Sequence, residues 1–144
     1  MESFNLNKKY DVITILFNSI GYLNKKQLIK TFKNVYQHLN RGGVFLIETI
    51  FLKNKLSDLK NHIRKYKDKN LTILRNLNIK IKGKKANLHA RYKINSDDFI
   101  EEDKQEIILL EEKELKNIFL NEGFDIKLYK YDQGGTILFL GIKN

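Results

Sequence analysis

Two apolar runs, Val12-Ile13-Thr14-Ile15-Leu16-Phe17 and Val44-Phe45-Leu46-Ile47-Glu48-Thr49-Ile50-Phe51, flank a segment whose apolar residues keep a different rhythm. From Asn24 to Leu39 those residues are Leu28, Phe32, Val35 and Leu39, spaced to share one face of a helix. Gly42-Gly43 follows and is expected to stop that helix, because glycine takes the left-handed cap without a Cβ clash. Continuous apolar runs call for strands buried on both faces, and two of them bridged by an amphipathic helix make a parallel βαβ crossover. The core of an open α/β sheet is therefore expected.

In such sheets ligands sit outside the carboxyl ends of the strands. Asn18, Ser19, Gly21 and Tyr22 occupy that place after the first run, and Glu48 and Thr49 lie near the end of the second. Small polar residues there offer hydroxyl, amide and backbone N–H groups to a ligand. The same Asn-Ser pair also suits the start of the following helix. Spacing leaves both readings open.

The remaining elements follow from changes of period. Met1 to Lys9 is short and polar apart from Phe4 and Leu6, and Asp11 stands at the strand start, where carboxylates bond nearby backbone. Leu52, Leu56, Leu59 and Ile63 predict a Lys-rich amphipathic helix over 52–66 that covers the sheet or lids the cleft. From Leu71 the period becomes two: Leu77, Ile79 and Ile81, then Leu88, Ala90, Tyr92 and Ile94 beyond Gly83. That pattern is an antiparallel hairpin with one wet face. A turn at Asn95–Asp98 and a third strand over 99–110 complete it. Glu111 to Asn121 reads as a helix with Leu115, Ile118 and Phe119 inward, two acids in its first turn and Gly123 as its cap. Strands at 125–131 and 136–142, joined through Asp132-Gln133-Gly134-Gly135, form a closing hairpin.

Composition limits the chemistry. A length of 144 residues with 42% hydrophobic content fits one domain with a real core. No cysteine is present, and His38, His62 and His89 lack ligand spacing, so no metal site is expected. Nothing at the N-terminus reads as a signal peptide and no apolar run reaches membrane-spanning length; a cytoplasmic protein without a membrane partner is expected. The net charge of +10 is carried by lysines spread along the chain among many Asn and Ile, a mixture that AT-rich coding also produces. Nucleic-acid binding normally needs charge clustered with aromatics, so it is not expected.

The order of elements resembles the C-terminal part of a class I S-adenosylmethionine-dependent methyltransferase. Tyr10-Asp11-Val12 and Leu16-Phe17-Asn18-Ser19-Ile20-Gly21-Tyr22-Leu23 resemble the fourth-strand motif of small-molecule methyltransferases, nearest to those acting on amino groups of nucleotide-linked sugars. Leu39-Asn40-Arg41-Gly42-Gly43-Val44 is similar to the family's fifth-strand entry, and Asn121-Glu122-Gly123-Phe124 to its closing segment. The resemblance implies an α/β fold: a partial Rossmann-like methyltransferase sheet, family strands four to seven, with a three-stranded antiparallel insert at about 71–110 of a single domain, 1–144. It implies S-adenosylmethionine as cofactor, with Met1, Phe17 and Asn18 beside it, and Ser19 and Tyr22 beside an acceptor amine. A packing aromatic at the helix start is the other reading of Tyr22. The family's arginine before the last strand has no counterpart in Asp132-Gln133-Gly134-Gly135, a departure from its phosphate-holding pattern.

The family's Gly-rich turn and its ribose-binding acid also have no counterpart among these residues. The chain is thus expected to be incomplete on its own, with Val12–Phe17 left as a bare apolar edge. A second copy, a chain supplying the missing N-terminal half, or the folded-back segment Ser3–Lys8 would cover that edge. Three functions compete: a methyltransferase half acting on a small-molecule acceptor, a non-catalytic interaction or regulatory module on the same half-fold, and a basic nucleic-acid binder.

Overall fold

The computed structural model describes residues 3–50, 62–95, 100–130 and 136–144. In chain order these form β1 (Tyr10–Ile15), a 3₁₀ turn (Ser19–Tyr22), α1 (Lys25–His38) and β2 (Leu39–Ile50), then β3 (His62–Asp68), β4 (Leu71–Lys82), β5 (Lys85–Ile94) and β6 (Ile100–Ile108). The chain closes with α2 (Glu112–Asn121), β7 (Phe124–Lys130) and β8 (Thr136–Lys143). They divide into two compact units, Met1–Leu52 with Leu110–Asn144, and Lys53–Leu109.

The first unit carries a four-stranded sheet in the order β1-β2-β8-β7. β1 and β2 run parallel from Val12 beside Val44 to Ile15 beside Ile47, as the crossover pattern requires, and β8 lies antiparallel to both β2 and β7. This is the sheet expected for family strands four, five, seven and six. At its heart the Phe32 ring on α1 meets Phe45, Phe119 and Phe124 edge-on, at centroid distances of 5.1, 4.7 and 6.4 Å. Leu115, Ile118 and Phe119 of α2 are buried as their spacing predicts.

Several expectations are corrected. β1 is not buried on both faces: Ile15 alone is buried, while Val12 is 58% exposed, because no described strand lies on its outer side. The strand also stops at Ile15, two residues early, where the backbone turns. Ser3–Lys8 does not pair with that edge; it runs along α1, with Phe4 against the His38 ring at 4.6 Å and the Leu6 N–H donating to His38 Nε2 at 3.3 Å. Asp11 accepts from the Asn40 side-chain amide at 2.8 Å, bridging to β2 rather than to its own backbone.

The end of α1 also differs. The helix stops at His38 and Gly42-Gly43 is not its cap; Gly42, at φ 76°, lies in a bulge where β2 advances from Leu39 to Val44 while β1 advances only from Tyr10 to Val12. The orphan carbonyls of a helix end need donors. Lys143, remote in sequence, supplies them: its Nζ donates to the Tyr36 and Leu39 carbonyls at 2.7 and 2.9 Å and lies over the Tyr36 ring. Burial, and then the nearby Lys9 charge, hold its pKa below the ordinary lysine value. Gly123, by contrast, does follow α2 in the left-handed conformation expected of it.

The second unit is an antiparallel sheet in the order β3-β4-β5-β6. It has four strands rather than three. Residues 62–66, expected at the end of a helix, belong to β3, and the rest of that predicted helix, 52–61, lies outside the described residues. The leucines carrying the helical spacing all precede 60, whereas Ile63 to Lys67 find a full ladder on β4, and pairing overrides local pattern. Leu77, Ile79, Ala86, Ala90 and Ile107 are buried on one face of this sheet, with Leu109 packed among them. The turn residues 96–99 and the hairpin connection 131–135 lie outside the described residues.

Candidate functional site

The chain leaves β1 through a turn that a simple strand-to-helix connection would not need. Phe17 and Asn18 both take left-handed backbone, at φ 54° and 56°. Asn visits that region readily, but a bulky residue there is an outlier, at a cost of about 1–2 kcal/mol. Three hydrogen bonds from β2 hold the pair. Glu48 Oε2 accepts from the Phe17 N–H at 3.2 Å and the Glu48 carbonyl from the Asn18 N–H at 3.3 Å. Thr49 Oγ1, on a residue only 1% exposed, donates to Asn18 Oδ1 at 2.8 Å. At about 1 kcal/mol each, such bonds offset the strain.

Beyond the clamp, the 3₁₀ turn is anchored by buried Ile20 and Leu23. Ser19 Oγ donates to the Leu16 carbonyl at 2.7 Å, which commits its proton and leaves its oxygen lone pairs as acceptors. Tyr22 is half exposed at the end of the turn, so it is not a core aromatic. α1 then starts on its own cap: Asn24 and Gln27 exchange side-chain-to-backbone bonds at 3.0 Å in a capping box. Asn18-Ser19 are therefore not the N-cap of that helix, and the Asn18 side chain is spent on the neighbouring strand.

Ser19, Tyr22, Phe17 and Asn18 thus sit on one short turn at the carboxyl end of β1, with Phe17 85% exposed. Met1 lies outside the described residues. Sequence reading located Glu48 and Thr49 but missed what they do; the visible signal was a carboxylate inside an otherwise apolar strand. Among the described residues no cluster of His, Asp or Glu could hold a metal, and no helix is long and apolar enough to cross a membrane.

The strain is testable. Phe17→Gly should raise stability by about 0.5 kcal/mol, since glycine tolerates the left-handed backbone and an exposed ring contributes little packing. Chemical denaturation would measure it, and a loss exceeding about 1 kcal/mol would show the ring to be structural.

Several solved structures of methyltransferases resemble this chain. An S-adenosylmethionine-dependent methyltransferase from Clostridium acetobutylicum superposes with TM-score 0.79 at 19% identity, over 99% of this chain and 62% of that one. The S-adenosylmethionine-bound amino pentose methyltransferase from Micromonospora echinaspora gives 0.81 at 18%, over 99% and 62%. The sugar N-methyltransferase from Streptoalloteichus gives 0.79 at 18%, over 99% and 60%. The fold is that of the S-adenosylmethionine-dependent methyltransferases. The chain spans about three-fifths of the length of the methyltransferase structures it matches. No protein-family model and no curated protein matches the sequence. On a methyltransferase fold the clamped turn lies at the carboxyl ends of two adjacent parallel strands, the side on which open α/β sheets take their ligands.

Proposed function

We propose that this chain is the acceptor-side part of an S-adenosylmethionine-dependent methyltransferase that methylates an amine of a small molecule. The observation carrying the reading is the strained turn held by Glu48 and Thr49 at the ligand end of a methyltransferase sheet. Strain at such a place persists only when its surroundings enforce it. The exposed Phe17 ring fits an apolar or aromatic part of the cofactor, and Asn18 stands next to it on the same turn. The residues present fit the cofactor only in part, since the eight glycines include no Gly-rich turn of the G-x-G kind.

When bound, the cofactor supplies a sulfonium methyl as electrophile. A methyl leaving that sulfonium would be accepted by the amine lone pair, the bonding pair would stay on sulfur, and the spare amine proton would pass to water. Ser19, whose hydroxyl proton is donated in a hydrogen bond to the Leu16 carbonyl, accepts an N–H of the amine and aims its lone pair; the Tyr22 hydroxyl provides a second contact. Alignment of this kind can account for much of the barrier lowering. The cofactor-gripping unit pairs with the β1 edge, where Val12, Leu16 and Phe17 expose apolar surface. That edge also supports a second reading, a non-catalytic module that pairs with another copy or another chain through β1.

Calorimetry should find no micromolar affinity of the chain alone for S-adenosylmethionine. Fusing it to the part of the Micromonospora amino pentose methyltransferase that it does not cover should create binding and transfer of labelled methyl to an amino sugar. Ser19→Ala in that fusion should lower the rate about ten- to a hundredfold with binding kept. A folded fusion that binds cofactor but transfers nothing would favour the interaction module.

A further inference from the structure

We propose that the wet face of the β3-β4-β5-β6 sheet docks on the phosphodiester backbone of a nucleic-acid duplex. Read along the chain, lysine is dispersed. The strand register gathers it. Lys65 and Lys67 on β3, Lys80 and Lys82 on β4 and Arg91 on β5 all fall on the same face, because Lys65 lies opposite Leu74, Lys67 opposite Thr72, Lys80 opposite Asn87 and Arg91 opposite Asn76. All five are solvent-exposed. No described carboxylate pairs with any of them. The carboxylates that share this face on β6, Glu102 and Glu106, are already taken: Lys104 holds Glu102 at 3.0 Å and Lys85 holds Glu106 at 2.7 Å.

Charges two residues apart along a strand stand about 7 Å from one another, and neighbouring strands about 4.8 Å. Measured along β4, Lys65 and Lys67 stand beside one end and Lys80 and Lys82 at the other, about 20–34 Å apart with Arg91 between them, so the cations form a line that can meet successive phosphates along a duplex. Single strands are bound by adding aromatic platforms for the bases, yet Tyr66 and Tyr92 project from the opposite face, paired with Ile73 and Arg75. A bilayer surface calls for bulky apolar anchors, and among the described residues Ile63 is the large apolar side chain strongly exposed here. Phosphate contact without base stacking or lipid insertion is what a duplex backbone takes.

The test uses the full chain and fluorescence anisotropy with short random-sequence duplex RNA and duplex DNA, titrated at several salt concentrations. Five phosphate contacts give a log–log salt slope near −4.5, about a 500-fold loss of affinity for a fourfold rise in salt. Lys80→Glu with Lys82→Glu should lessen that slope by about 2, whereas Lys26→Glu with Lys33→Glu on α1, an equal change of net charge, should leave it unchanged. If the glutamate pair lowers the melting temperature, Lys80→Gln with Lys82→Gln reads the same slope. A preference between the duplexes would assign the backbone as RNA or DNA. Equal losses in both pairs of variants, no duplex binding in low salt, or tighter binding to polyglutamate or to phosphatidylserine vesicles would each overturn the proposal.

Discussion

Phe32→Ala is expected to cost about 3–5 kcal/mol of stability, enough to unfold much of a domain whose total margin is about 5–15 kcal/mol. The reason lies in where α1 puts that ring. Phe32 is fully buried and meets Phe45 of β2, Phe119 of α2 and Phe124 of β7, so it joins the helix layer to the sheet at one point. Truncation leaves a void lined by rings that cannot close over it, because Phe119 is itself stacked on Phe139, with planes 5° apart. Phe32→Leu keeps most of the volume and should cost less than half as much. Urea denaturation followed by far-ultraviolet circular dichroism would compare the two. Equal, small losses would show that the cluster does not hold the layers together.

The second large effect concerns the last strand. Gly141→Ala should destabilise by about 1–3 kcal/mol, and valine at that position by more. The added Cβ would collide with the edge of the Phe119 ring and press on Phe124 at 3.0 Å. Gly141 lies between Phe45 on β2 and Ile126 on β7, so the strand cannot step back without breaking two ladders. Glycine is needed there because the α2 ring occupies the space of its side chain, not because of its backbone angle. A double-mutant cycle isolates the cause: Phe119→Leu in the Gly141→Ala background should recover part of the loss, a coupling of about 1 kcal/mol. Strict additivity of the two losses would contradict the proposed collision.

The wider architecture was legible in the amino-acid sequence. The change from continuous apolar runs to a three-and-four spacing indicates β1, α1 and β2 and their parallel pairing, because two strands joined through a helix of that length can return only as a crossover. Alternation from Leu71 onward likewise gives the wet-faced antiparallel sheet. Where local pattern misled, a distant partner had the stronger claim. Ile63 ends a helical spacing of leucines, yet the ladder on Leu71–Lys82 makes it part of a strand. Gly42 looks like a helix cap, but the carbonyls at the end of α1 are met by Lys143, more than a hundred residues away in sequence.

The candidate site divides in the same way. Sequence alone determined that small polar residues, Asn18, Ser19 and Tyr22, follow β1 at the ligand end of the sheet, and that Glu48 and Thr49 stand beside them on β2. It could not show that Phe17 and Asn18 adopt left-handed backbone, since no local preference of phenylalanine favours it. That conformation exists only because β2 brings a carboxylate and a hydroxyl within hydrogen-bonding reach of the turn. Charge behaves likewise: the sequence sets how many lysines there are, but strand register decides that five exposed cations share one face. Composition and periodicity are properties of neighbouring residues, whereas strain and clustered charge arise from groups that meet only once the chain has folded.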